Sequence, residues 1–219
     1  INISNMDTKL TGKTRIESDL IGAREIPAEA LYGVQTLRGI ENFSISKFRL
    51  SEYPLFIKGL AITKMAAAMA NFELGLLTVE QKDAIIAACG EILDGKHHDQ
   101  FPVDMIQGGA GTTTNMNANE VIANRALELM GHERGEYQYC SPNDHVNCSQ
   151  STNDAYPTAI HIGMYFKHLQ LLPHLEELIA SFRKKGEEFS QIIKMGRTQL
   201  EDAVPMTLGQ TFNGFASIL

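Results

Sequence analysis

The sequence predicts a mainly α-helical fold, with an N-terminal helical domain that includes a few short extended segments and then the start of a bundle of long helices. Three observations support this. An alanine- and methionine-rich run follows Pro54, apolar residues recur every three or four positions along most of the chain, and the longest such pattern begins near Asp154. We place the N-terminal domain at residues 1–140 and an incomplete first part of the bundle at residues 141–219.

The first 50 residues carry turn signals and no long helical pattern. Gly12, Gly22, Pro27 and Gly33 divide this region into short pieces. Glycine and proline at such spacing are typical of turns between short elements. We therefore expect short extended segments here.

Two helices are predicted next. The run from Pro54 to Asn71 includes KMAAAMA, which has high helix propensity, and Gly75 can end it. We interpret its methionines as core residues. Thr78 and Gln81 have the spacing of a capping box for a second helix that extends through Asp94.

The segment QGGAGTTTNMNANE, residues 107–120, combines glycines, threonines and asparagines before a helix predicted from Thr114 to Met130. Glycines allow a tight turn and close approach of a ligand, and the N-terminus of a helix favours an anion. Hydroxyls such as that of Thr112 and the asparagine amides provide neutral hydrogen bonds. This pattern indicates a pocket for a small carboxylate. It lacks the lysine of a nucleotide phosphate loop.

Two later segments have the same chemical character. In NCSQSTNDAYP, residues 151–154 precede the longest helical pattern. In GRTQLEDAVPMTLGQ, Thr198 and Gln199 are expected in a polar loop before Pro205 opens another apolar run. Each of these segments could also serve only to cap a helix. Their repetition favours a shared binding site.

The longest helix is predicted from Asp154 to about Phe189, with apolar residues mostly three or four positions apart. A helix of this length spans about 50 Å, which indicates a bundle or an oligomer core. Pro173 is expected to kink it or to mark a short interruption.

Composition is typical of a globular enzyme and argues against several other classes. The 219 residues are 43% hydrophobic and 21% charged, with a net charge of −7. Without a basic stripe we predict no nucleic-acid partner. No apolar stretch reaches about 18 residues, and the N-terminal INISNMDTKLTGK has no apolar signal core, so we predict no membrane association. The three cysteines are an odd number and form no C-x-x-C pair, so we predict a reducing, cytoplasmic location and no metal site. We also predict no cofactor.

Three motifs resemble those of the aspartase/fumarase superfamily: GGAGTTTNMNANEVIANRALELMGH, PNDHVNCSQSTNDAYPTA and KMGRTQLEDAVPMTLGQ. The resemblance extends from about Arg15 to the end of the chain. It is stronger to the aspartase branch than to class II fumarases. Those fumarases typically read SSND at residues 151–154, RTH at residues 197–199 and histidine at Ser141.

The resemblance implies reversible anti elimination of ammonia from L-aspartate, a small amino-acid and dicarboxylate substrate, to give fumarate through an enediolate-like carbanion. It also implies substrate-binding residues, mostly for carboxylates: Thr112, Ser151, Thr152 and Thr198, with Asn153 placing the amino group. Gln199 stands where class II fumarases have histidine. An amide cannot titrate, so Gln199 is expected only to bind.

Family members are about twice as long as this chain. They form homotetramers whose composite active sites collect residues from three subunits. Their base is a serine in a loop that we expect beyond Leu219, so no catalytic residue is assigned here and the fragment alone is expected to be inactive. Two alternatives stay open: a class II fumarate hydratase, or a helical assembly fragment without catalysis.

Overall fold

The structure is a computed structural model that describes residues 12–219. Segment 1–11, which contributes to the argument about a signal core, lies outside the described residues. The described part contains ten regular helices and strands: β1 (Thr14–Asp19), β2 (Gly22–Pro27), α1 (Val34–Asn42), α2 (Pro54–Glu73), α3 (Val79–Leu93), α4 (Thr112–Leu129), α5 (Thr152–Glu188), β3 (Ile193–Thr198), β4 (Glu201–Thr207) and α6 (Leu208–Ile218). The mainly helical fold class is confirmed.

The chain forms two compact units, one that ends at Met164 and one from Tyr165 to Leu219. The division falls within α5. It describes packing inside this chain, and the domain boundary after residue 140 stays a prediction.

The core of the first unit lies among α2, α3 and α4. Ile57, Leu60, Ile85 and Ile122 are at most 1% exposed. The predicted capping box of α3 is confirmed, because the Thr78 hydroxyl accepts a hydrogen bond from the Gln81 backbone N–H at 3.2 Å and Gln81 Oε1 accepts one from the Thr78 N–H at 3.1 Å. Apolar periodicity and a local cap together define these helices.

Helix α2 corrects the expectation that no segment is long and apolar enough to span a membrane. Its 20 residues include an 18-residue stretch with a mean hydropathy of 1.3, which meets that test. However, α2 packs on α3 and buries one face in the core, with Phe56, Ile57 and Leu60 inside. A buried core helix of a globular protein has the same composition.

Helix α1 was not predicted, because a residue distant in sequence caps it. Its N-cap residue, Gly33, has no side chain to accept hydrogen bonds. Buried Glu120 of α4 does so instead: its Oε2 accepts from the N–H groups of Gly33 (2.8 Å) and Thr36 (3.0 Å), and its Oε1 accepts from the Gln35 N–H (2.8 Å). No local pattern could reveal this cap.

The second unit contains an aromatic cluster and a β-hairpin. The Phe212 ring lies 6.0 Å from the Phe182 ring and 5.4 Å from the Phe189 ring. The polar loop expected around residues 198–205 is in fact the antiparallel pair β3–β4, and Pro205 lies inside β4 opposite Met195. A proline is tolerated there because the ladder is irregular between Met195 and Arg197.

Helix α5 is continuous from Thr152 to Glu188. The expected interruption at Pro173 is therefore wrong, and a kink remains the alternative. Because Pro173 is exposed, water can hydrate the Leu169 carbonyl that the proline leaves without a helical donor.

Candidate active site

The glycine-rich loop leads directly into α4, as predicted, but the helix starts two residues earlier than expected, at Thr112. Gly109 and Gly111 have φ values of 71° and 89°, in the left-handed region that favours glycine. A Cβ on Gly111 would lie 2.3 Å from the Tyr156 ring. Glycine at this position therefore lets the start of α4 lie directly against the first turns of α5.

Gln107 fixes the shape of this loop. Its Nε2 donates to Thr114 Oγ1 at 2.6 Å, and its Oε1 accepts from the Thr114 backbone N–H at 2.9 Å. The pair closes the loop onto the first turn of α4. Thr112, at the surface of that turn, is exposed.

The start of α5 is tied to α4 by side-chain amides. Asn115 Nδ2 donates to Thr152 Oγ1 at 3.1 Å and to Asn147 Oδ1 at 3.0 Å. The Ser151 hydroxyl accepts from the Asn153 N–H at 3.2 Å. Ser151 thus caps the helix, which is the alternative role that the sequence left open. Thr152, in contrast, belongs to a network that joins two helices.

Two clefts flank these helix starts. One of about 510 Å³ is lined by Gly109, Gly111, Asn153 and other residues. The other, of about 730 Å³, is lined by Thr112 among others. Asn153 and Thr112 thus line different clefts. Ser151 and Thr152 are not among the lining residues of either cleft.

Two charged residues that line the larger cleft, Arg38 and Asp19, are paired with each other. Arg38 donates to both Asp19 carboxylate oxygens, at 2.8 and 2.9 Å, and this pairing holds the pKa of Asp19 below its usual value. Two further arginines are also engaged, Arg24 with Glu41 and Arg197 with Asp202. Neutral hydroxyls, amides and the two helix N-termini are therefore the groups available for an anion.

Thr198 and Gln199 belong to the second unit. Thr198 is the last residue of β3, and Gln199 and Leu200 form the two-residue turn to β4 with φ values of 51° and 68°. Both Thr198 and Gln199 are exposed. Of the six expected site residues, the first unit alone carries Thr112, Ser151, Thr152 and Asn153.

Lys64 is the residue that sequence reasoning missed. It lies on α2, is 0% exposed, and its Nζ donates to Asn147 Oδ1 and Gln150 Oε1, both at 2.9 Å. Burial lowers its pKa to about 7. The signal was a single lysine inside the apolar run AITKMAAAMA, which we treated only as helix core.

The chain is similar to known proteins over most of its length. A model of the family described as Lyase matches residues 22–219. Aspartate ammonia-lyases from Pseudomonas canavaninivorans and Escherichia coli (strain K12) are 60% and 57% identical to the chain, over 94% and 96% of it. The chain covers 43% and 44% of these relatives, so it spans less than half their length.

Solved structures agree in fold. A fumarate lyase:delta crystallin from Brucella melitensis bound to cobalt is 54% identical, with a TM-score of 0.87 over 94% of this chain and 45% of that one. A recombinant class II fumarase from Schistosoma mansoni is 39% identical, with a TM-score of 0.83 over 94% of this chain and 43% of that one. With the glycine-rich loop, the STND segment and the family match in agreement, the chain belongs to the lyase family of the aspartase/fumarase superfamily.

Proposed function

We propose that this chain is the N-terminal part of an aspartate ammonia-lyase, which deaminates L-aspartate reversibly to fumarate and ammonia. The observation that carries the proposal is the meeting of two helix starts. Gly111 brings the N-terminus of α4 against Tyr156 of α5, and Asn115 bonds Thr152. Two helix N-termini with neutral donors suit a small carboxylate.

The chemistry requires stabilisation of negative charge. Removal of the proton next to a carboxylate places additional charge on that group, and donors already oriented towards it lower the barrier. In our proposal Thr112, Ser151, Thr152 and Thr198 bind carboxylate oxygens, Asn153 places the amino group, and Gln199 has only a binding role. The proton is taken by a serine that lies outside this chain.

The leaving group favours deamination over dehydration. An amine that is already protonated in the substrate leaves as neutral ammonia without a further proton, whereas a hydroxyl group needs a general acid to leave as water. Gln199 has an amide that cannot titrate. Identity of 57–60% to relatives named aspartate ammonia-lyase supports the same choice.

We further propose a cytoplasmic homotetramer with composite sites. The second unit supports assembly, because its part of α5 exposes large apolar residues, among them Tyr165, Leu169, Leu171 and Leu178. Exposed apolar surface of this kind is typical of an interface. Analytical ultracentrifugation of the full-length protein tests it, and a monomer at micromolar concentration would contradict it.

The function is tested by fumarate release from L-aspartate and from L-malate, followed by ultraviolet absorbance in the full-length protein. We expect release from aspartate alone. Thr198→Val should lower kcat/KM for aspartate by about tenfold or more, through loss of one hydrogen bond to a charged group. Unchanged kcat/KM would remove Thr198 from the site.

A class II fumarase is the second candidate, favoured by the structural similarity to the Schistosoma mansoni enzyme. Release of fumarate from malate but not aspartate would establish it. Release from neither substrate by a folded, assembled protein would leave the helical assembly module.

A further inference from the structure

Lys64 lies beneath the proposed site in an unusual setting for a lysine. It is fully buried and bonds two neutral amides, Asn147 and Gln150. The titratable group that acts on it electrostatically is the Cys89 thiol, but burial raises the pKa of that thiol to about 12, so it stays neutral. A buried lysine is normally paired with a carboxylate. Because Lys64 is bonded to amides instead, we expect it to have a role other than forming an ion pair.

The hydrogen bonds around Lys64 link it to Thr152 through two asparagines, and Asn147 Oδ1 accepts from both Lys64 and Asn115. Lysine nitrogen donates to Asn147 Oδ1 (2.9 Å), and Asn115 Nδ2 donates both to that oxygen (3.0 Å) and to Thr152 Oγ1 (3.1 Å). A protonated lysine has only donors. Asn147 must therefore present its oxygen to Lys64, and Asn115 must present its nitrogen to Asn147.

Other contacts support the same orientation. Asn147 Nδ2 donates to the Gln150 carbonyl at 3.2 Å, which keeps Asn147 Oδ1 towards Lys64. Asn115 Oδ1 is buried without a hydrogen-bond partner in the structure. No donor thus competes to turn the Asn115 amide around.

This orientation determines which hydrogen bonds the Thr152 hydroxyl can make. One of its acceptor positions is filled by Asn115, and within residues 12–219 no acceptor receives its hydrogen. A hydroxyl has a single hydrogen to give. That hydrogen is therefore available to an acceptor, such as a carboxylate oxygen of a ligand.

We propose that Lys64 is a positioning residue, which orients the chain Asn147–Asn115–Thr152 so that the Thr152 hydroxyl donates to a substrate carboxylate. This rests on the proposed function, in which Thr152 binds substrate. Lys64 itself does not touch the substrate. Its neutral amine still carries two hydrogens for Asn147 and Gln150, so the orientation holds in both protonation states.

The test is a double-mutant cycle in the full-length protein with Lys64→Met, Thr152→Val and the double variant. We expect each single variant to raise KM for L-aspartate by about tenfold, the effect of one hydrogen bond to a charged group, with a smaller change in kcat. In the Thr152→Val background, Lys64→Met should change KM less than twofold. Independent sites would multiply their effects instead, and that result overturns the proposal, as does an unchanged KM in Lys64→Met.

Asn71→Leu is the matched control. Asn71 also lies buried on α2 and bonds the same segment, through its Nδ2 and the Cys148 carbonyl at 2.8 Å, but it is outside the chain to Thr152. A general loosening of the segment would affect Asn71→Leu and Lys64→Met alike. We expect Asn71→Leu to multiply with Thr152→Val, and non-additivity in the control would contradict a specific role for Lys64.

Two further outcomes separate this proposal from the proposed function. If Lys64→Met does not fold, Asn147→Ala breaks the next link and should give the same KM increase and the same non-additivity. If the wild type acts only on L-malate, the proposed function fails, and the cycle measured with malate decides the role of Lys64. Turnover of neither substrate overturns both.

Discussion

The two regions that carry the expected site residues are held in different ways. Buried hydrogen bonds hold the start of α5. Thr152 is bonded to Asn115, and Asn147 is bonded to both Asn115 and the buried Lys64. The turn that carries Gln199 is exposed, and Leu200 beside it is 96% exposed. One region is preorganised by buried polar contacts, the other only by its hairpin.

The two regions also differ in which residues adopt left-handed backbone conformations. The left-handed positions of the glycine-rich loop are Gly109 and Gly111, whereas those of the hairpin turn are Gln199 and Leu200; Ser149, just before α5, is left-handed as well, with a φ of 57°. A non-glycine residue in this conformation costs about 1 kcal/mol or more. The glycine-rich loop therefore carries no such strain, and the turn gains if contacts from another subunit hold it.

The largest expected effect concerns pH and Lys64. Its pKa is about 7 in the fold, against 10.5 as its ordinary value. Between these values the unfolded chain binds more protons, so the unfolding free energy of the wild type should rise with pH relative to Lys64→Met. The rise is about 1.4 kcal/mol per pH unit, roughly 4–5 kcal/mol in total. Urea unfolding of both proteins at pH 7, 8 and 9 measures it, and parallel curves would contradict it.

Gly111→Ala tests the contact between the two helix starts. Alanine would combine a φ of 89° with a Cβ 2.3 Å from the Tyr156 ring, which should destabilise the protein by about 3 kcal/mol. We expect fumarate release to fall more than tenfold, since the start of α4 must shift. Denaturant unfolding and aspartate turnover check both effects.

Gly131→Ala is the control for that prediction. Gly131 has a φ of 83° and no atom within 4 Å of a Cβ. It isolates the backbone strain, about 1 kcal/mol. Equal effects of the two variants would mean that the Tyr156 contact is unimportant.

Glu120→Gln tests the cap that the first region provides for α1. The amide keeps the size of the carboxylate but turns one donor group towards the N–H groups of Gly33, Gln35 and Thr36. We expect a loss of about 2 kcal/mol in unfolding free energy. Glu41→Gln, at an exposed ion pair with Arg24, should lose less than about 1 kcal/mol. A similar loss in both would show that the buried cap is not specific.

Local chemistry made much of the fold predictable. The capping box at Thr78 and Gln81 and the glycines before α4 act on their own neighbours, so their sequence pattern is sufficient. Helix α1 was missed because its cap, Glu120, lies 87 residues from Gly33. The β3–β4 hairpin was missed because Gln199 and Leu200 are not typical of a turn with positive φ.

The site was predictable to a similar extent. The motifs predicted that Thr112 and residues 151–153 lie at helix starts, and the structure confirms these positions. Their roles in substrate binding stay predictions. Lys64 escaped notice because its importance arises from contacts with Asn147 and Gln150, more than 80 residues away. The only indication of such a contact in the sequence is a charged residue within an apolar helix.

The smallest effect is expected in the hairpin, from Leu200→Gly. Glycine adopts the φ of 68° found at this position without strain, so the hairpin should gain up to about 1 kcal/mol. Leu200→Ala retains the left-handed strain and is the control. Amide hydrogen exchange of β3 and β4 should slow in the glycine variant only. Equal exchange in both would mean that the turn is not strained, and the contrast between the two regions would then rest on burial alone.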